Sequence, residues 1–389
     1  MIKSKELISR IGLKELNKNA DDYYKRFPIP NRIMAKPFAN ISEAPMLLYK
    51  LAFLLDGLNL GLGMVVLDFG SGACWLSKIL NQLRCSTISL DVSATALSMG
   101  EILFKDFPII GDCINPPQFL LFDGIKVDLE DESVDRIVCF DAFHHIHDQE
   151  AILREFFRVL KSGGIIGFSE PGINHSSSTE AQKEMHEFGV LENDIDVKII
   201  EKLALEIGFT RMRLKLHSGF NLELISSDTC RLPSDIVSGV PEIPRYMSNA
   251  TEREPIFFLE KGVPMQDSRQ PVGLSCNIVA EGEYPARVGQ AVNIPLLIKN
   301  CGSTKWLCSA NKDMGAVKVG GHLKGKDGSM IENDFLRSNL TKDIIPGEEI
   351  KHTLTVQFDR AGEYILALDM VSEYVTWFGQ EKLIKIDIS

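Results

Sequence analysis

The sequence lacks a long apolar run. The run at residues 51–55, even when extended past Lys50, is far shorter than the roughly 18 residues that a membrane-spanning helix needs. Residues 1–18 are interrupted by lysine and glutamate and have no continuous apolar core of the signal-peptide kind. We therefore expect no transmembrane segment and a cytoplasmic location. A length of 389 residues with 44% apolar residues predicts two or three globular domains.

Cysteine pairs and an excess of basic residues are also missing. The eight cysteines are scattered and form no CxxC pair, which favours reduced, mostly buried thiols. The net charge is −11, with 29 basic and 38 acidic residues up to residue 270 and 13 and 15 beyond it. Binding to a phosphate backbone requires a basic surface. We therefore do not expect nucleic acid as a partner.

Up to about residue 215, short β-branched runs alternate with longer helical patterns, which predicts a parallel sheet with helices on both faces. Asp148 is the predicted N-cap of the helix at residues 149–160, and Gly163 and Gly164 are its predicted stop signal. The predicted strands are residues 64–68, 86–91, 118–122, 136–140 and 165–169, and a further helix is predicted at residues 94–105.

Three more features complete this region. Residues 1–42 are polar and contain proline, so we expect an N-terminal arm, extended after a short helix. A helix is predicted at residues 42–55, with Ser42 as its N-cap. Strands predicted at residues 211–217 and 255–260 fit an antiparallel hairpin at the sheet edge, with an insert that contains proline and serine between them.

From about residue 270 the helical patterns stop. Strand patterns separated by glycine, proline and asparagine turns follow one another to the end of the chain. They cover residues 274–279, 291–298, 315–320, 350–358, 364–371 and 382–388. This spacing predicts an immunoglobulin-like β-sandwich over residues 270–389.

The clearest functional pattern is the apolar strand at residues 65–69, which runs into a glycine turn and then a helix. Gly70 and Gly72 allow the backbone to approach a ligand closely, and the N–H groups that begin the helix attract an anion. Asp91 ends the next predicted strand, where a carboxylate can accept hydrogen bonds from both ribose hydroxyls of a nucleoside cofactor.

These features fit NAD and S-adenosylmethionine equally well. The dinucleotide fingerprint has a third glycine five positions after the first, which packs the helix beside the pyrophosphate. Trp75 occupies that position here. The bulky side chain disfavours pyrophosphate and favours a cofactor whose anion is a carboxylate.

Five motifs occur in a familiar order: the glycine turn, Asp91, and residues 122–124, 134–145 and 159–164. Over residues 45–262 the chain resembles the class I S-adenosylmethionine-dependent methyltransferases. The resemblance implies a Rossmann-like, seven-stranded, mostly parallel sheet in a domain at residues 43–265, with S-adenosyl-L-methionine as cofactor. Cys74 stands where this family often has a third glycine. The resemblance implies these cofactor-binding residues: Asp68, Gly70, Ser71, Gly72, Asp91, Asp123, Gly124, Phe140 and Asp141.

Candidate catalytic residues follow the fourth and fifth predicted strands. They are His144 and His145, with His147 nearby, and then Glu170 and His175. A histidine with an ordinary pKa suits a general base for a hydroxyl acceptor. The alternatives are that the histidine pair orients its loop and that Glu170 or His175 supports a turn or caps a helix. A metal site built from these residues is conceivable, but we expect none. The helix at residues 180–188 could serve as a lid.

The C-terminal domain resembles the sugar-binding sandwich of bacterial polysaccharide-export ATPases, through generic turn positions. Trp306, Tyr374, Trp377 and Phe378 form either a stacking surface for a glycan or part of the core, with Tyr374 the best candidate for exposure. We therefore expect O-methylation of a glycan or glycosyl intermediate of surface polysaccharide synthesis. The alternatives are an inactive methyltransferase-like scaffold that binds glycans, and a small-molecule methyltransferase whose sandwich mediates homo-oligomerisation.

Overall fold

The computed structural model describes residues 2, 4–29, 32–107, 115–217, 249, 251–264, 266–282 and 284–389. The chain divides into two compact units, residues 1–60 with 64–264 and residues 61–63 with 265–389. Among the described helices, none has the length and apolar character needed to cross a membrane. Most of the predicted insert before residue 255 lies outside the described residues.

A seven-stranded sheet forms the centre of the first unit, in the order β3-β2-β1-β4-β5-β7-β6. Strands β1 to β5 are parallel, whereas β7 is antiparallel to both β5 and β6. This confirms the predicted mostly parallel, Rossmann-like sheet with an antiparallel pair at its edge. The strands are β1 (Val65–Phe69), β2 (Ser86–Asp91), β3 (Gln118–Leu121), β4 (Val134–Phe140), β5 (Leu160–Ser169), β6 (Arg211–Lys215) and β7 (Ile256–Glu260).

Helices cover both faces of this sheet. Phe156 and Ile200 bury against one face, and Leu54 and Leu80 bury against the other. Burial on both faces explains why the central strands are almost continuous apolar runs. The helices are α1 (Ser4–Arg10), α2 (Leu13–Lys25), α3 (Ala44–Leu58), α4 (Trp75–Gln82), α5 (Ala94–Asp106), α6 (Gln149–Val159), α7 (Thr179–Glu187) and α8 (Val197–Ile207).

The N-terminal segment differs from the expected extended arm. It forms helices α1 and α2, which pack on the first unit through Leu7 and Leu16 against Met185 and Leu191. The apolar stripe of α2 is narrow, so its polar face dominates the composition of this stretch. Because this helix has few apolar positions, its sequence pattern resembles that of an unpacked arm.

Two predicted helix boundaries are wrong, although Asp148 does cap α6 through the N–H of Ala151. Helix α3 begins at Ala44, and the hydroxyl of Ser42 donates to Asn40 Oδ1 at 2.9 Å instead of capping the helix. Gly163 and Gly164 do not follow α6 as a loop. They lie within β5, because the chain becomes extended immediately at Leu160.

The second unit is built from antiparallel strands in two sheets, β11-β10-β13-β14 with β15 paired to β13, and β12-β9-β8. Buried side chains from both sheets form one core, which encloses Trp306. The more specific immunoglobulin-like assignment stays a prediction. The strands are β8 (Cys276–Ala280), β9 (Ala291–Asn300), β10 (Val317–Gly325), β11 (Met330–Asn339), β12 (Glu349–Gln357), β13 (Gly362–Ser372), β14 (Thr376–Trp377) and β15 (Lys382–Ile388).

Sequence patterns missed β11 and the two-residue β14. Strand β11 pairs with β10 alone and has no buried residue. An edge strand with few buried positions lacks the alternation of apolar and polar residues that identifies a half-buried strand.

Candidate active site

The carboxyl ends of four parallel strands bring the main candidate residues to one edge of the first unit's sheet. The glycine turn follows β1, Asp91 ends β2, Asp141 follows β4 and Glu170 follows β5. Strand order changes direction between β1 and β4. In open α/β sheets the crevice at such a switch point is the usual place for a ligand.

The glycine turn depends on left-handed backbone geometry. Gly70 and Gly72 have φ values of 69° and 52°. A Cβ atom at Gly70 would lie 2.4 Å from Ala142 Cβ, so this position has no room for a side chain. Cys74 also has a left-handed φ, 61°. This backbone geometry favours glycine, and the buried cysteine adopts it at the position where the resemblance predicts a third glycine.

Asp91 holds the turn in place. Its Oδ2 accepts a hydrogen bond from the N–H of Gly72 and its Oδ1 accepts one from the N–H of Ser93, each at 2.8 Å. Burial raises the pKa of Asp91, although these backbone hydrogen bonds act in the opposite direction. The carboxylate therefore lies directly beside the glycine turn, as a ribose-binding acid requires.

Asp68 lies deeper, beneath the turn. Its Oδ2 accepts a hydrogen bond of 2.6 Å from the hydroxyl of Ser77, which in turn accepts one from Ser89. Burial raises the pKa of Asp68 to about 7. The contacts seen here tie the end of β1 to α4, so Asp68 supports the turn from below.

Helix α2 contributes residues that the sequence did not reveal. The hydroxyl of Tyr24 lies 2.6 Å from the position that a Cβ of Gly72 would occupy. Asn17 donates to the backbone carbonyl of Asp123 at 2.8 Å, and Asp21 accepts from Ser93 and Thr95 at the start of α5. The spacing 17, 21, 24 places these side chains on one helical face, but this signal appears only once residues 13–25 are known to be helical.

Two further predicted cofactor residues have local roles. Asp123 Oδ1 accepts from the N–H groups of Ile125 and Lys126, so part of this carboxylate is engaged within its own loop. Phe140 packs edge-on against Trp75, with ring centroids 5.2 Å apart. The large side chain of Trp75 thus fills space beside the end of β4.

A buried lysine, also missed from the sequence, lies near the end of β4. Lys50 is 8% exposed, and its Nζ is 4.0 Å from Asp141 Oδ1 and 3.5 Å from Glu254 Oε2. Asp141 itself has a left-handed φ of 49°. In the sequence, the feature that could have pointed to Lys50 is that it is the single lysine in the apolar stretch at residues 44–55.

The structure brings three of the candidate histidines together with Glu170. The carboxylate of Glu170 is fully buried and accepts hydrogen bonds from the N–H groups of Ala142, Phe143 and His144. Its Oε2 is also 2.7 Å from Nδ1 of His144. His145 and His175 lie beside His144, with ring-centroid distances of 3.9 and 5.1 Å. His147 is exposed, and the described residues show no ring contact or ion pair that links it to this group.

Glu192 joins this cluster from the loop before α8 and was not predicted. Its Oε2 is 2.7 Å from His175 Nε2 and 3.5 Å from His144 Nε2, and its Oε1 is 3.4 Å from His145 Nδ1. The sequence offers no local signal for Glu192, because it is one acid in an acidic loop. We call His144, His145, Glu170, His175 and Glu192 the histidine–glutamate cluster.

Burial and the neighbouring charges together set the pKa values of this cluster. Burial lowers the pKa of His144 well below its ordinary value. Burial raises the pKa of Glu170 to about 6, against the effect of its backbone hydrogen bonds. For Glu192, the hydrogen bond from His175 and the neighbouring histidines outweigh burial and lower the pKa. At neutral pH the cluster therefore contains a neutral His144 between two carboxylates, an arrangement that can accept a proton or hold a cation.

Comparisons with known proteins indicate similarity to methyltransferases. Residues 67–168 match the methyltransferase domain family. An uncharacterised methyltransferase of Schizosaccharomyces pombe is 34% identical over 100 residues, which are 25% of this chain and 36% of that protein. The malonyl-[acyl-carrier protein] O-methyltransferase of Yersinia pestis is 36% identical over 109 residues, 28% of this chain and 36% of that protein. The chain thus spans about a third of the length of the curated relatives it matches.

A solved complex between the Haloferax volcanii Trm112 methyltransferase activator and a methyltransferase also shows similarity. Its matching chain is 15% identical, with a TM-score of 0.42 over 55% of this chain and 89% of that chain.

The raised pKa of Asp68 predicts a specific dependence of stability on pH. Between the ordinary aspartate pKa near 4 and about 7, Asp68 is protonated in the folded chain and ionised in the unfolded one. Its contribution to the free energy of unfolding therefore falls as pH rises, by at most about 1.4 kcal/mol per pH unit. Denaturant unfolding at pH 5 and pH 7 should therefore show a more negative change of stability with pH in the wild type than in Asp68→Asn.

The exposed Asp128 provides the control, because Asp128→Asn removes the same charge outside this site. Equal pH slopes for the wild type and Asp68→Asn would contradict the predicted protonation.

Proposed function

We propose that this protein, whose first unit carries a class I methyltransferase domain, transfers the methyl group of S-adenosylmethionine to a hydroxyl acceptor. The supporting observation is the convergence of the glycine turn, Asp91 and the histidine–glutamate cluster at the carboxyl edge of one parallel sheet.

The residues of the crevice fit this cofactor. The left-handed glycine turn leads into α4, and Asp91 supplies a buried carboxylate next to the turn. Trp75 is buried where a dinucleotide-binding protein needs a glycine beside the pyrophosphate. We assign the methionyl side to Gly70, Ser71 and Gly72 above Asp68, the ribose to Asp91, the adenine side to Asp123 and Gly124, and the crevice wall to Phe140 and Asp141. When bound, the cofactor supplies an electrophilic methyl group.

This chain's own contribution is to align the acceptor and to promote loss of its proton. Alignment accounts for much of the barrier reduction in a displacement between two bound molecules. The histidine–glutamate cluster supplies the second effect. Glu170 fixes the orientation of His144 through a hydrogen bond to Nδ1. The low pKa of His144 keeps its imidazole neutral, so Nε2 has a lone pair that can accept the proton of the acceptor hydroxyl.

We further propose that the acceptor is a glycan or a glycosyl intermediate. The support comes from the second unit, where Tyr374 is 68% exposed and lies two residues before β14. Trp377 is half-buried and packs against His322 and Arg337. Trp306 is fully buried, so it belongs to the core and not to a stacking surface. Tyr374 and Trp377 lie on the same short segment, and an exposed aromatic ring there is of the kind that sugars stack on.

Asp91 provides the test of cofactor binding. If it accepts hydrogen bonds from the ribose, Asp91→Asn should weaken S-adenosylhomocysteine binding about tenfold or more in calorimetry, since each such bond contributes about 1 kcal/mol. Asp128→Asn is the charge-matched control and should bind like the wild type. Absence of binding by the wild type at millimolar ligand would refute the methyltransferase proposal and favour an inactive scaffold.

The acceptor can be identified by labelling. Radiolabelled S-adenosylmethionine should transfer its methyl group to a carbohydrate-containing cell-envelope fraction in preference to small-molecule extracts. Label that is confined to the small-molecule extracts would rule out a glycan acceptor and support the alternative in which the second unit mediates dimerisation.

The cluster can be tested with the fraction that accepts label. His144→Ala should lower the rate of methyl transfer about 100-fold or more, the typical contribution of proton-transfer catalysis, and leave S-adenosylhomocysteine affinity within about twofold. His147→Ala is the matched histidine control and should retain wild-type rates. If His144→Ala, His145→Ala and His175→Ala all retain full activity, the cluster has no catalytic role.

A further inference from the structure

The orientation of His144 leaves one of its nitrogen atoms facing another acceptor. Nδ1 is 2.7 Å from Glu170, whose carboxylate already accepts three backbone N–H groups, so Nδ1 carries the proton and donates it. In the neutral ring, Nε2 then has only a lone pair. It lies 3.5 Å from Oε2 of Glu192, which is itself an acceptor. Both side chains are 6% exposed.

Two buried lone pairs that face each other repel unless a cation or a hydrogen-bond donor lies between them. His175 Nε2 donates a 2.7 Å hydrogen bond to one lone pair of Glu192 Oε2. This proton does not lie between Glu192 Oε2 and His144 Nε2. A direct hydrogen bond between His144 and Glu192 would require a second proton on His144, whose Nδ1 already donates to Glu170. A cation bound by both atoms would remove this repulsion.

His145 offers a third ligand. Its Nδ1 lies 2.6 Å from the backbone carbonyl of Leu191 and 3.4 Å from Oε1 of Glu192. His144, His145 and Glu192 can each offer one ligand atom, and these three atoms lie within 4.8 Å of one another. Two imidazoles and one carboxylate are a ligand set that suits first-row transition metals and not magnesium or calcium.

We propose that His144, His145 and Glu192 bind one divalent transition-metal ion. Glu170 and His175 are the positioning residues, because each holds a ligand by a 2.7 Å hydrogen bond. A carboxylate that orients a metal-bound histidine through its other nitrogen is a recurring arrangement in metal sites.

The local charge balance supports a cation of charge two. Glu170 and Glu192 place two carboxylates around a neutral His144. Lys50 pairs with Asp141 and Glu254 and acts on Glu170 only at longer range. A divalent ion offsets the two carboxylates of the cluster.

Three protein ligands leave coordination positions for an oxygen of the acceptor. With the lone pair of His144 Nε2 bound to the ion, the ion instead of His144 would promote loss of the proton from an oxygen bound there, and the proton would pass to solvent. This role in methyl transfer rests on the function proposed above, whereas binding of the ion does not.

Metal binding can be measured without methyl transfer. The untagged full chain is freed of metal with a chelator and titrated with Zn²⁺ in a calorimeter, and Co²⁺ is used for visible absorption. We expect one ion per chain. Glu192→Gln and His144→Ala should weaken Zn²⁺ binding at least 100-fold, and Glu170→Gln about 10- to 100-fold. His147→Ala and Glu187→Gln change exposed residues of the same types and should bind Zn²⁺ like the wild type.

His145→Ala keeps the test decisive if a buried variant fails to fold, because this side chain is 44% exposed. It should weaken Zn²⁺ binding at least tenfold with little change in thermal stability of the metal-free protein. Less than about 0.1 ion per wild-type chain, or wild-type affinity in His145→Ala and Glu192→Gln, would overturn the metal site. If the metal site is absent but the metal-free protein still binds S-adenosylhomocysteine, the metal proposal fails and the proposed function stands. If the metal-free protein does not bind S-adenosylhomocysteine, the proposed function fails separately.

Discussion

The buried carboxylate of Glu170 is the constraint on which the site depends. A carboxylate with no exposure needs several hydrogen-bond donors, because it has lost all its water. The consecutive N–H groups of Ala142, Phe143 and His144 supply them, which forces the chain after β4 into a tight 3₁₀ turn against the end of β5. The same carboxylate then sets the orientation of His144. One buried charge thus shapes the backbone and selects the tautomer of the histidine.

The parallel sheet explains why this is possible. Parallel strands end at the same edge, so residues that are far apart in sequence arrive side by side. Asp91 at the end of β2 has the same role as Glu170 after β5: it accepts hydrogen bonds from backbone N–H groups. Its two oxygens accept from the N–H groups of Gly72 and Ser93. In both cases a buried acid at a strand end fixes the following turn. The two acids lie on the two sides of the β1–β4 switch point, Asp91 beside the glycine turn and Glu170 within the histidine–glutamate cluster.

The sequence predicted the parts of this arrangement that depend on local patterns. The strands, the glycine turn, Asp91, Glu170 and the histidines could be identified because each lies in or directly after an apolar run. Tyr24 and Glu192 could not be identified in this way. Tyr24 reaches the glycine turn from a helix with a narrow apolar stripe, and Glu192 comes from an acidic loop. Contacts between remote segments depend on packing in three dimensions, for which a single sequence carries no periodic signal.

Helix α2 shows what this limitation means for the site. It was expected to be an arm, yet it contacts three separate parts of the crevice: the glycine turn through Tyr24, the start of α5 through Asp21 and the loop after β3 through Asn17. Under the proposed function, the glycine turn would hold the methionyl part of the cofactor and the loop after β3 its adenine side, whereas the start of α5 follows the ribose-binding Asp91. Helix α2 would then contribute to the cofactor site, and its position would determine how much of the glycine turn a ligand can reach.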